Sequence, residues 1–342
     1  MKVILVNLVL AFLLYSCGYQ DSSGSKKSIT GKAGELVVVI SNTAWDDTPG
    51  NIVRETLAQP LPGLPQDEPL FDLVQVPHEA FKEIFQSTRN IIQTRIAPIV
   101  ENPGVFYTDN VWAQPQATIQ INARTKDEFV QLFKENSTQI IGYFLKAERD
   151  RITQNYAQMH DKAVSNTLSE KYDIKLHVPP GFVISQEKQD FVWIRYETPE
   201  ISQAIMLYWF PYTSDSTFTR NYLLHKRDSI LRANVPGPVD GSYMATERRW
   251  EPMFQITKHS GNYAADMRGL WRVENDFMGG PFIMLAELDA YRQRVVVADG
   301  YVYAPSKEKR NLARQVEAIV YSMRFNDQER NDRLNQQANM GN

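Results

Sequence analysis

The sequence predicts an α+β protein of two α/β-type domains, the second a mostly antiparallel sheet covered by helices. The chain has 342 residues, 43% of them hydrophobic, so it is long and apolar enough for two packed cores. Strand and helix patterns alternate in the first half. In the second half strands follow one another, with one helix inserted and one at the end, which favours helices packed on an antiparallel sheet.

In the first half, the run ELVVVI (35–40) is continuously apolar, which is typical of a strand buried on both faces. The next segment places Asp47 or Thr48 at a helix N-cap and Pro49 at the first helical position. The proline-rich segment QPLPGLPQDEP (59–69) predicts an extended connection. The other predicted elements are strands at 71–76, 90–96 and 117–122, a short helix at 78–85, and a long helix over 125–160 with a break near 136–137.

The second half begins with three predicted strands, in YDIKLHVPPGF (172–182), DFVWIRYE (190–197) and QAIMLYWFPY (203–212). A helix over 219–232 follows, and a closing helix is expected over 306–323. Between these helices the pattern predicts an antiparallel meander with polar residues interleaved. Its strands are expected at 253–258, 263–272, 282–288 and 294–302.

The N-terminus has the pattern of a secretory signal. Lys2 precedes an apolar run from Val3 to Leu14, which is too short to cross a bilayer but fits the core of a signal peptide. The residues that follow are rich in Ser, Gly and Lys, as in a flexible tether. The expected segments are a lipoprotein signal peptide (1–16), an acylated cysteine and flexible tether (17–33), an N-terminal mixed α/β domain (34–165), a C-terminal antiparallel α+β domain (166–326) and a disordered polar tail (327–342).

Cys17 is the only cysteine of the chain and directly follows this signal. Leu14-Tyr15-Ser16-Cys17-Gly18 resembles a bacterial lipobox, from whose commonest pattern Tyr15 departs. The resemblance implies that the Cys17 thiol carries a diacylglyceryl group, that further acylation such as palmitate holds the chain at a membrane, and that the signal is cut before Cys17. The alternative is an incidental cysteine at the end of an uncleaved helix.

The segment after Cys17 also predicts a location. Among residues 18–32 only Asp21 is acidic, so the acidic run that routes some lipoproteins to the cell surface is missing. We therefore expect an outer-membrane lipoprotein of the bacterial cell envelope that faces the periplasm.

Five segments are distinctive enough to compare with known families. They are PGLPQDEPLFDL, DFVWIRYE, VPGPVDGSYMATE, RGLWRVENDFMGGPF and DGYVYAPSKEKR. Together they resemble a Bacteroidota lipoprotein family, domain of unknown function 4837. The resemblance implies a lipid anchor but supplies no activity, ligand or catalytic residue.

Charge and motifs argue against several classes of function. A formal net charge of −3 gives no basic face, so no nucleic-acid partner is expected. The five histidines are too far apart in sequence for a local two-histidine metal motif. The G-x-S-x-G, G-x-x-x-x-G-K-[ST] and G-x-G-x-x-G patterns of hydrolases and nucleotide sites are missing. We therefore expect no metal and no cofactor.

The first candidate ligand site comprises Trp45, Asp46 and Asp47, after the predicted strand 35–40. Open α/β sheets tend to bind ligands at the carboxyl ends of their strands, beside helix N-termini. The alternative is that Asp47 only caps the helix and Trp45 packs over the sheet edge.

The second candidate site combines GPVDGSYM (237–244) with RGLWRVENDFMGGPF (268–282). The sequence Gly279-Gly280 predicts a tight turn that lets a backbone come close to a ligand, beside aromatic and charged side chains. The alternative is a β-turn with ordinary cross-strand pairs. The candidate ligand-binding residues here are Asp240, Tyr243, Arg268, Trp271, Asn275, Asp276, Gly279 and Gly280, with Gly241 beside them.

Two functions from different classes follow. The first is a lipid-anchored envelope protein that binds or assembles with a protein, glycan or lipid partner without catalysis. The second is a hydrolase of cell-wall or polysaccharide material, with Asp240, Glu274 or Asp276 as paired carboxylates. A shallow aromatic patch would favour binding, and a deep cleft holding two carboxylates of raised pKa would favour the hydrolase. The missing catalytic motifs favour the first.

Overall fold

The computed structural model describes residues 26–326. The predicted signal peptide (1–16), Cys17 and the predicted polar tail (327–342) lie outside the described residues. Within them, the two largest sheets have five and eight strands, one in each half of the chain.

The five-stranded sheet forms the core of the first half. The strands of this half are β1 Lys27–Ser28, β2 Glu35–Val39, β3 Asp72–Val76, β4 Asn90–Ile96, β5 Gly104–Asp109, β6 Ala113–Gln114 and β7 Ala117–Ala123. The order across the sheet is β3–β2–β4–β7–β5, and every pair is parallel except β5 with β7. Leu36, Val37 and Val38 of β2 are buried, as the run ELVVVI predicts for a strand covered on both faces.

Helices cover this sheet. They are α1 Asn42–Trp45, α2 Thr48–Leu57, α3 Glu83–Gln86 and α4 Lys126–Gln158, with a 3₁₀ turn at His78–Ala80. The helix predicted over 78–85 is therefore divided between the 3₁₀ turn and α3. The break predicted in the long helix is wrong, because α4 is continuous past residues 136–137 and buries Phe133 and Ile140 on either side of them.

The eight-stranded sheet forms the core of the second half, and all its pairings are antiparallel. The strands of this half are β8 Ile174–Lys175, β9 Val183–Lys188, β10 Phe191–Glu197, β11 Ser202–Pro211, β12 Met244–Thr246, β13 Met253–His259, β14 Asn262–Val273, β15 Gly279–Asp289, β16 Arg294–Tyr303 and β17 Arg324–Phe325, of which β9 to β16 form the large sheet. The order is β12–β14–β15–β16–β11–β10–β9, and β13 also pairs with β14. β8 and β17 form a separate pair.

Both faces of the large sheet are apolar because helices cover both. These helices are α5 Lys162–Tyr172, α6 Arg220–Asn234 and α7 Arg310–Val320, with a 3₁₀ turn at Asp215–Phe218. Leu168 of α5 and Ile319 of α7 share one apolar cluster with Ile205 of β11. Leu223 of α6 shares the other cluster with Met206, the next residue of β11. The predicted α+β fold class, with a mostly antiparallel second domain covered by helices, is confirmed.

The strand predicted in YDIKLHVPPGF is wrong over most of its length. α5 extends through Tyr172, only Ile174–Lys175 is extended in a sheet, and the next strand begins at Val183. Pro179-Pro180 lacks backbone donors, and Gly181 has a φ of +95°, so this stretch cannot continue a ladder.

Backbone pairing extends into the segment for which the sequence predicts a tether (17–33). Lys27–Ser28 pairs in parallel with Ala113–Gln114, and Thr30 forms a bridge with Thr88. The chain is therefore joined to the first domain from β1 onward, which confines any tether to the residues before it.

The N-terminus of α7 joins the two halves. Glu68, in the proline-rich connection, accepts hydrogen bonds from the backbone N–H groups of Lys309 (2.6 Å) and Arg310 (2.7 Å). The Arg310 guanidinium pairs with Asp72 of β3 at 2.6 Å. A carboxylate is favourable here because the first N–H groups of a helix have no partner within it. The last helix of the second half is thus capped by the first half.

Candidate functional site

The predicted site at Trp45, Asp46 and Asp47 lies after β2, where α1 ends at Trp45 and α2 begins at Thr48. Asp47 caps α2, whose first backbone N–H donates to its carboxylate (2.7 Å), and it also pairs with Lys126 (2.5 Å). The hydrogen bond from Lys126, and then the one from the backbone, lower the pKa of Asp47. The Arg54 guanidinium lies 4.4 Å from the centre of the Trp45 ring, and Asp46 is exposed. These contacts within the chain explain the positions of Asp47 and Trp45 without a bound ligand.

The two segments of the second predicted site do meet in the fold. β12 pairs with β14 so that Met244 lies opposite Val273, and the Glu274 N–H donates to the Tyr243 carbonyl (2.8 Å). Asp240 is exposed in the loop before β12. The structure therefore brings Tyr243 beside the β14 segment, with Asp240 in the adjoining loop.

Arg268 has different partners. Its guanidinium pairs with Asp266 (3.1 Å) and with Glu317 of α7 (2.8 Å). Glu317 also pairs with Arg149 of α4 at 3.3 Å. Arg268 therefore belongs to a cluster of ion pairs that links α4, α7 and β14.

Trp271 is a core residue with 2% exposure, and its indole N–H donates to the Val302 carbonyl of β16 (3.2 Å). The turn predicted at Gly279 and Gly280 is wrong, because both residues lie in β15. A Cβ on Gly280 would lie 2.1 Å from the Val302 oxygen and 3.2 Å from the Trp271 nitrogen. The close approach that requires Gly280 is to a neighbouring strand.

The turn itself precedes these glycines. Asn275 adopts a φ of +66°, and the Asp276 carboxylate accepts from the backbone N–H groups of Phe277 (2.5 Å) and Met278 (3.1 Å). The Phe277 side chain is fully exposed at the tip. Asp276 therefore shapes the turn between β14 and β15.

Two open depressions adjoin this turn, and Trp271 and Met278 line both. The first, which we call the aromatic recess, has a volume of about 610 Å³, and the second, the arginine groove, about 750 Å³. The side chains that define the aromatic recess are Trp193, Arg195, Ile201, Ser202, Tyr301 and Tyr303. Those that define the arginine groove are Glu247, Arg248, Arg249, Trp250, Arg272 and Phe277.

The aromatic recess lies where α6 no longer covers its face of the sheet. α6 ends at Asn234, and the loop after it, Val235–Pro238, lines the recess together with 198–201 of the β10–β11 turn and with Pro305. The prolines among these rim residues fix the backbone φ angle, which stiffens the rim. A rigid opening loses little conformational entropy when a ligand binds.

Aromatic rings line the recess because alternate residues of a strand share a face. Trp193 and Arg195 share one face of β10, and the Arg195 guanidinium lies 4.5 Å from the centre of the Trp193 ring. Tyr301 and Tyr303 share one face of β16, and their rings lie 5.2 and 6.1 Å from the Trp271 ring. Trp193, Trp271 and Tyr301 are buried and reach the recess only with their edges, whereas Tyr303 is half-buried and exposes more of its ring.

The polar groups of the recess include an unpaired donor. Burial raises the pKa of Tyr301 to about 12, although Arg195, Ser202 and Trp193 favour its ionised form. The Trp193 side chain favours the ionised form through a hydrogen bond to this hydroxyl, whereas the buried Nε of Arg195 has no acceptor. Trp193 is only 9% exposed. The Arg195 Nε–H is thus a buried donor without an acceptor.

The arginine groove is electrically balanced because a carboxylate faces each of its arginines. The pairs are Arg248 with Asp228 (2.5 Å), Arg249 with Glu247 (2.8 Å) and Arg272 with Glu274 (2.5 Å). The hydrogen bonds from the Arg249 side chain and backbone hold the pKa of Glu247 at about 2. Trp250, 59% exposed, and Phe277 give the groove apolar edges.

The carboxylates considered for hydrolysis are engaged elsewhere or open to solvent. Glu274 pairs with Arg272, Asp276 holds its own turn, and Asp240 is exposed. Burial raises the pKa of Asp299, but this carboxyl is fully enclosed and bound to Arg227 at 2.8 Å. Residues 26–326 therefore offer no cleft in which two carboxyls of raised pKa meet.

Sequence reasoning missed the residues that form most of both depressions. Trp193 and Arg195 stand two apart in DFVWIRYE, as do Tyr301 and Tyr303 in DGYVYAP. This spacing shows that each pair shares a face, but it does not show that α6 stops short of that face. Trp250 has no pattern around it that could have identified it.

Within the part of the chain that the structure describes, no group of three or more His, Cys, Asp or Glu side chains is placed to hold a metal ion. Over the same residues, no helix combines the length and apolar character of a membrane span.

Two family models match the chain. Residues 160–322 match "Domain of unknown function (DUF4837)" and residues 29–157 match "Domain of unknown function (DUF8532)". No curated protein matches the sequence.

Among solved structures, the Ran-binding protein Mog1p of Saccharomyces cerevisiae is similar with a TM-score of 0.32 and 10% identity, over 45% of this chain and 90% of that one. LpqN of Mycobacterium tuberculosis, described as involved in cell envelope biogenesis, has a TM-score of 0.28 and 16% identity, over 44% and 81% of the two chains. Similarities at this level carry no inference about function.

Proposed function

We propose that this chain, whose residues 160–322 match the family model "Domain of unknown function (DUF4837)", is a lipid-anchored binding component of the bacterial cell envelope. Its ligand is held in the aromatic recess of the second domain, and no covalent chemistry is performed on it. The anchor is a lipid on Cys17, and the body faces the periplasm from the outer membrane.

The observation that carries the binding function is the aromatic recess. It is concave, preformed and close to 610 Å³, which is within the usual size range of small-ligand sites. The half-buried Tyr303 supplies ring surface beside the edges of Trp193, Trp271 and Tyr301, and Arg195 and Ser202 supply polar groups. Aromatic side chains with a few placed polar groups are the usual lining of such sites.

The disposition of the carboxylates supports binding over hydrolysis. Glycoside hydrolysis needs two carboxyl groups on opposite sides of one bond, one of them protonated at working pH. Glu197 and Glu200 line the recess but pair with Arg195 and Lys307. Each of these two carboxylates therefore already has a cationic partner.

The proposed anchor is supported by the lone Cys17 at the end of a short apolar run. Two or three acyl chains bind a bilayer stably, whereas a single chain does not. Intact-mass analysis should find a mature chain that begins at residue 17 and carries added acyl mass. A different N-terminus, or membrane fractionation of Cys17→Ala unchanged from wild type, would remove the anchor.

The binding function is tested by chemical crosslinking in membranes that contain the full-length chain. Tyr303→Ala removes a half-buried ring from the recess, and Tyr291→Ala removes an exposed ring in the β15–β16 turn. We expect crosslinked partners to be lost in Tyr303→Ala and retained in Tyr291→Ala. Equal capture by the two variants at equal expression would contradict the proposed site.

A further inference from the structure

Exposed apolar side chains lie in and beside the arginine groove. Phe277 is fully exposed at the tip of the β14–β15 turn, Trp250 is 59% exposed in the β12–β13 loop, and Val239 is 54% exposed in the loop before β12. That loop adjoins the turn, because the Glu274 N–H donates to the Tyr243 carbonyl. Large apolar side chains that stand together in solvent mark contact sites for proteins or membranes.

The arginines of the groove lie nearer the solvent than their carboxylate partners. The Arg249 side chain is 77% exposed and that of Glu247 is 8% exposed. The Arg248 side chain is 52% exposed and that of Asp228 is 28% exposed. Each ion pair joins the carboxylate to one terminal nitrogen of a group that has five N–H donors. The carboxylates therefore hold the arginines from the protein side and leave donors for a ligand.

The lining of the groove has more cationic than anionic groups. Besides its three arginines, it includes two carboxylates, those of Glu247 and Asp276. Glu247 is buried, and Asp276 accepts from backbone N–H groups of its own turn. Glu274, the partner of Arg272, stands outside the lining. A ligand thus meets a cationic surface, although the ion pairs behind it are balanced.

A phospholipid surface combines the two properties that this site requires. A guanidinium forms two parallel hydrogen bonds to a phosphate and stays charged. Aromatic side chains favour the boundary between lipid headgroups and acyl chains, and arginines are attracted to anionic headgroups. An acidic peptide would match the arginines, but it offers no apolar layer for the protruding Phe277.

The proposed anchor brings this surface close to a bilayer. Residues 18–25 separate Cys17 from Lys26, the first residue that the structure describes, and this length of chain spans at most about 30 Å. A short tether raises the effective concentration of lipid around the body. A contact that is weak by itself is therefore sufficient for docking.

We infer that the arginine groove and the turn at Phe277 dock on the phosphate layer of an anionic phospholipid membrane. Phe277 and Trp250 enter the interface, and the three arginines of the groove bind lipid phosphates. This inference goes beyond the proposed function and takes from it only the lipid anchor.

A single labelled cysteine tests this contact in the acylated chain reconstituted into vesicles. Cys17 is the only cysteine and would carry the lipid, so an introduced cysteine takes the fluorescent label alone. Asp240→Cys reports from the loop beside the turn, and Tyr291→Cys reports from the opposite end of β15.

In vesicles of phosphatidylcholine and phosphatidylglycerol, nitroxide-labelled lipids should quench the label at position 240 and not at position 291. Equal quenching at the two positions would overturn the inference. So would quenching at position 240 that is the same in vesicles of phosphatidylcholine alone.

Two variants in the Asp240→Cys background identify the groups that dock. Arg249→Gln should lower the equilibrium constant of docking about five-fold, the usual effect of one arginine near an anionic surface. Phe277→Ser should lower it at least as much, because the apolar ring no longer enters lipid. Arg124→Gln removes an exposed, ion-paired arginine from the first half and is the matched control. If both variants fold and dock like Arg124→Gln, the inference is wrong.

The docking surface and the proposed function fail separately. If position 240 stays out of contact with lipid in a chain that carries acyl groups, only the docking surface fails, and an acidic protein segment is the partner that the arginines fit. If membrane crosslinking is independent of Tyr303 while position 240 contacts lipid, only the aromatic recess fails as a binding site.

Discussion

Glu247 shows how one side chain shapes the second domain. Its carboxylate accepts from the backbone N–H of Arg249 (2.8 Å) and from that residue's guanidinium (2.8 Å). The side chain is buried at the end of β12, and its own N–H donates to the Leu270 carbonyl (2.8 Å). Glu247 thus holds the loop that carries Trp250 at the edge of the arginine groove.

This carboxylate predicts a pH dependence of stability. The folded-state pKa of Glu247 is about 2, below its ordinary value of 4.5, so the ionised form stabilises the fold above pH 4.5. That contribution is lost as the pH falls from 4.5 toward 2. Urea unfolding should show Glu247→Gln less stable than wild type at pH 6, with the difference narrowing at low pH. A difference that stays constant from pH 6 to pH 2.5 would contradict this.

At the residue scale, sequence reasoning identified the right segments but not the role of each residue. It placed Tyr243 near the β14 segment, and the two are hydrogen-bonded neighbours. It took Trp271 as a surface group, although Trp271 is buried. It took Gly280 as part of a turn, although Gly280 lies in β15. Glycine is required there because a Cβ would clash with the Val302 carbonyl oxygen of the neighbouring strand β16. Contacts between distant strands decide such roles, and local pattern does not record them.

At the scale of elements, α4 is the longest helix in the part of the chain that the structure describes, at 33 residues. Thr125 caps it by accepting from the Glu128 N–H (3.1 Å). Its interior contains Gly142, which lines an open cleft beside Leu61 and Met253 of the two halves. A Cβ on Gly142 would meet no atom within 4 Å.

Gly142→Ala should therefore stabilise the protein by about 1 kcal/mol, the usual gain of alanine over glycine in a helix interior. Gly50→Ala, in α2, is the matched control, because its Cβ would lie 1.9 Å from the Trp45 carbonyl oxygen and should destabilise. Urea unfolding at neutral pH measures the free energy of unfolding of both variants. A loss of stability in Gly142→Ala would show that the cleft is not open there.

Elements with a strong local pattern were predicted well. The strand expected at 90–96 is β4 with the same bounds. The helix over 125–160 was found within two residues of each end. β5 and α5 were missed, because β5 is largely exposed and α5 is short with a weak apolar stripe. Hydrophobic periodicity is weak in elements that bury few of their side chains.

At the scale of the whole molecule, the two halves are joined by contacts far apart in sequence. Glu68 caps α7 across 241 residues, and Arg314 of α7 donates to the Leu70 carbonyl (2.5 Å). Arg149 of α4 lies 4.1 Å from the centre of the Tyr321 ring. Sequence periodicity does not reveal such contacts, because they depend on how the two folded domains pack against each other.

Glu68→Ala should destabilise the fold by about 1–2 kcal/mol, as the loss of a helix cap does. Hydrogen exchange should also become faster at the first amides of α7, although the substitution lies in the other half. Asp67→Ala, at an exposed neighbouring position, is the control and should change neither quantity. If the first amides of α7 exchange hydrogen at the same rate in Glu68→Ala as in wild type, this contact does not couple the two halves.

The most direct test of the binding function is photo-crosslinking in cells from a reactive amino acid placed at position 278. Met278 lines both the aromatic recess and the arginine groove, and Tyr291 in the β15–β16 turn is an exposed position outside them. We expect a discrete crosslinked species from position 278 that is missing from position 291 and lost when Tyr303→Ala is added. The same yield from both positions would contradict it.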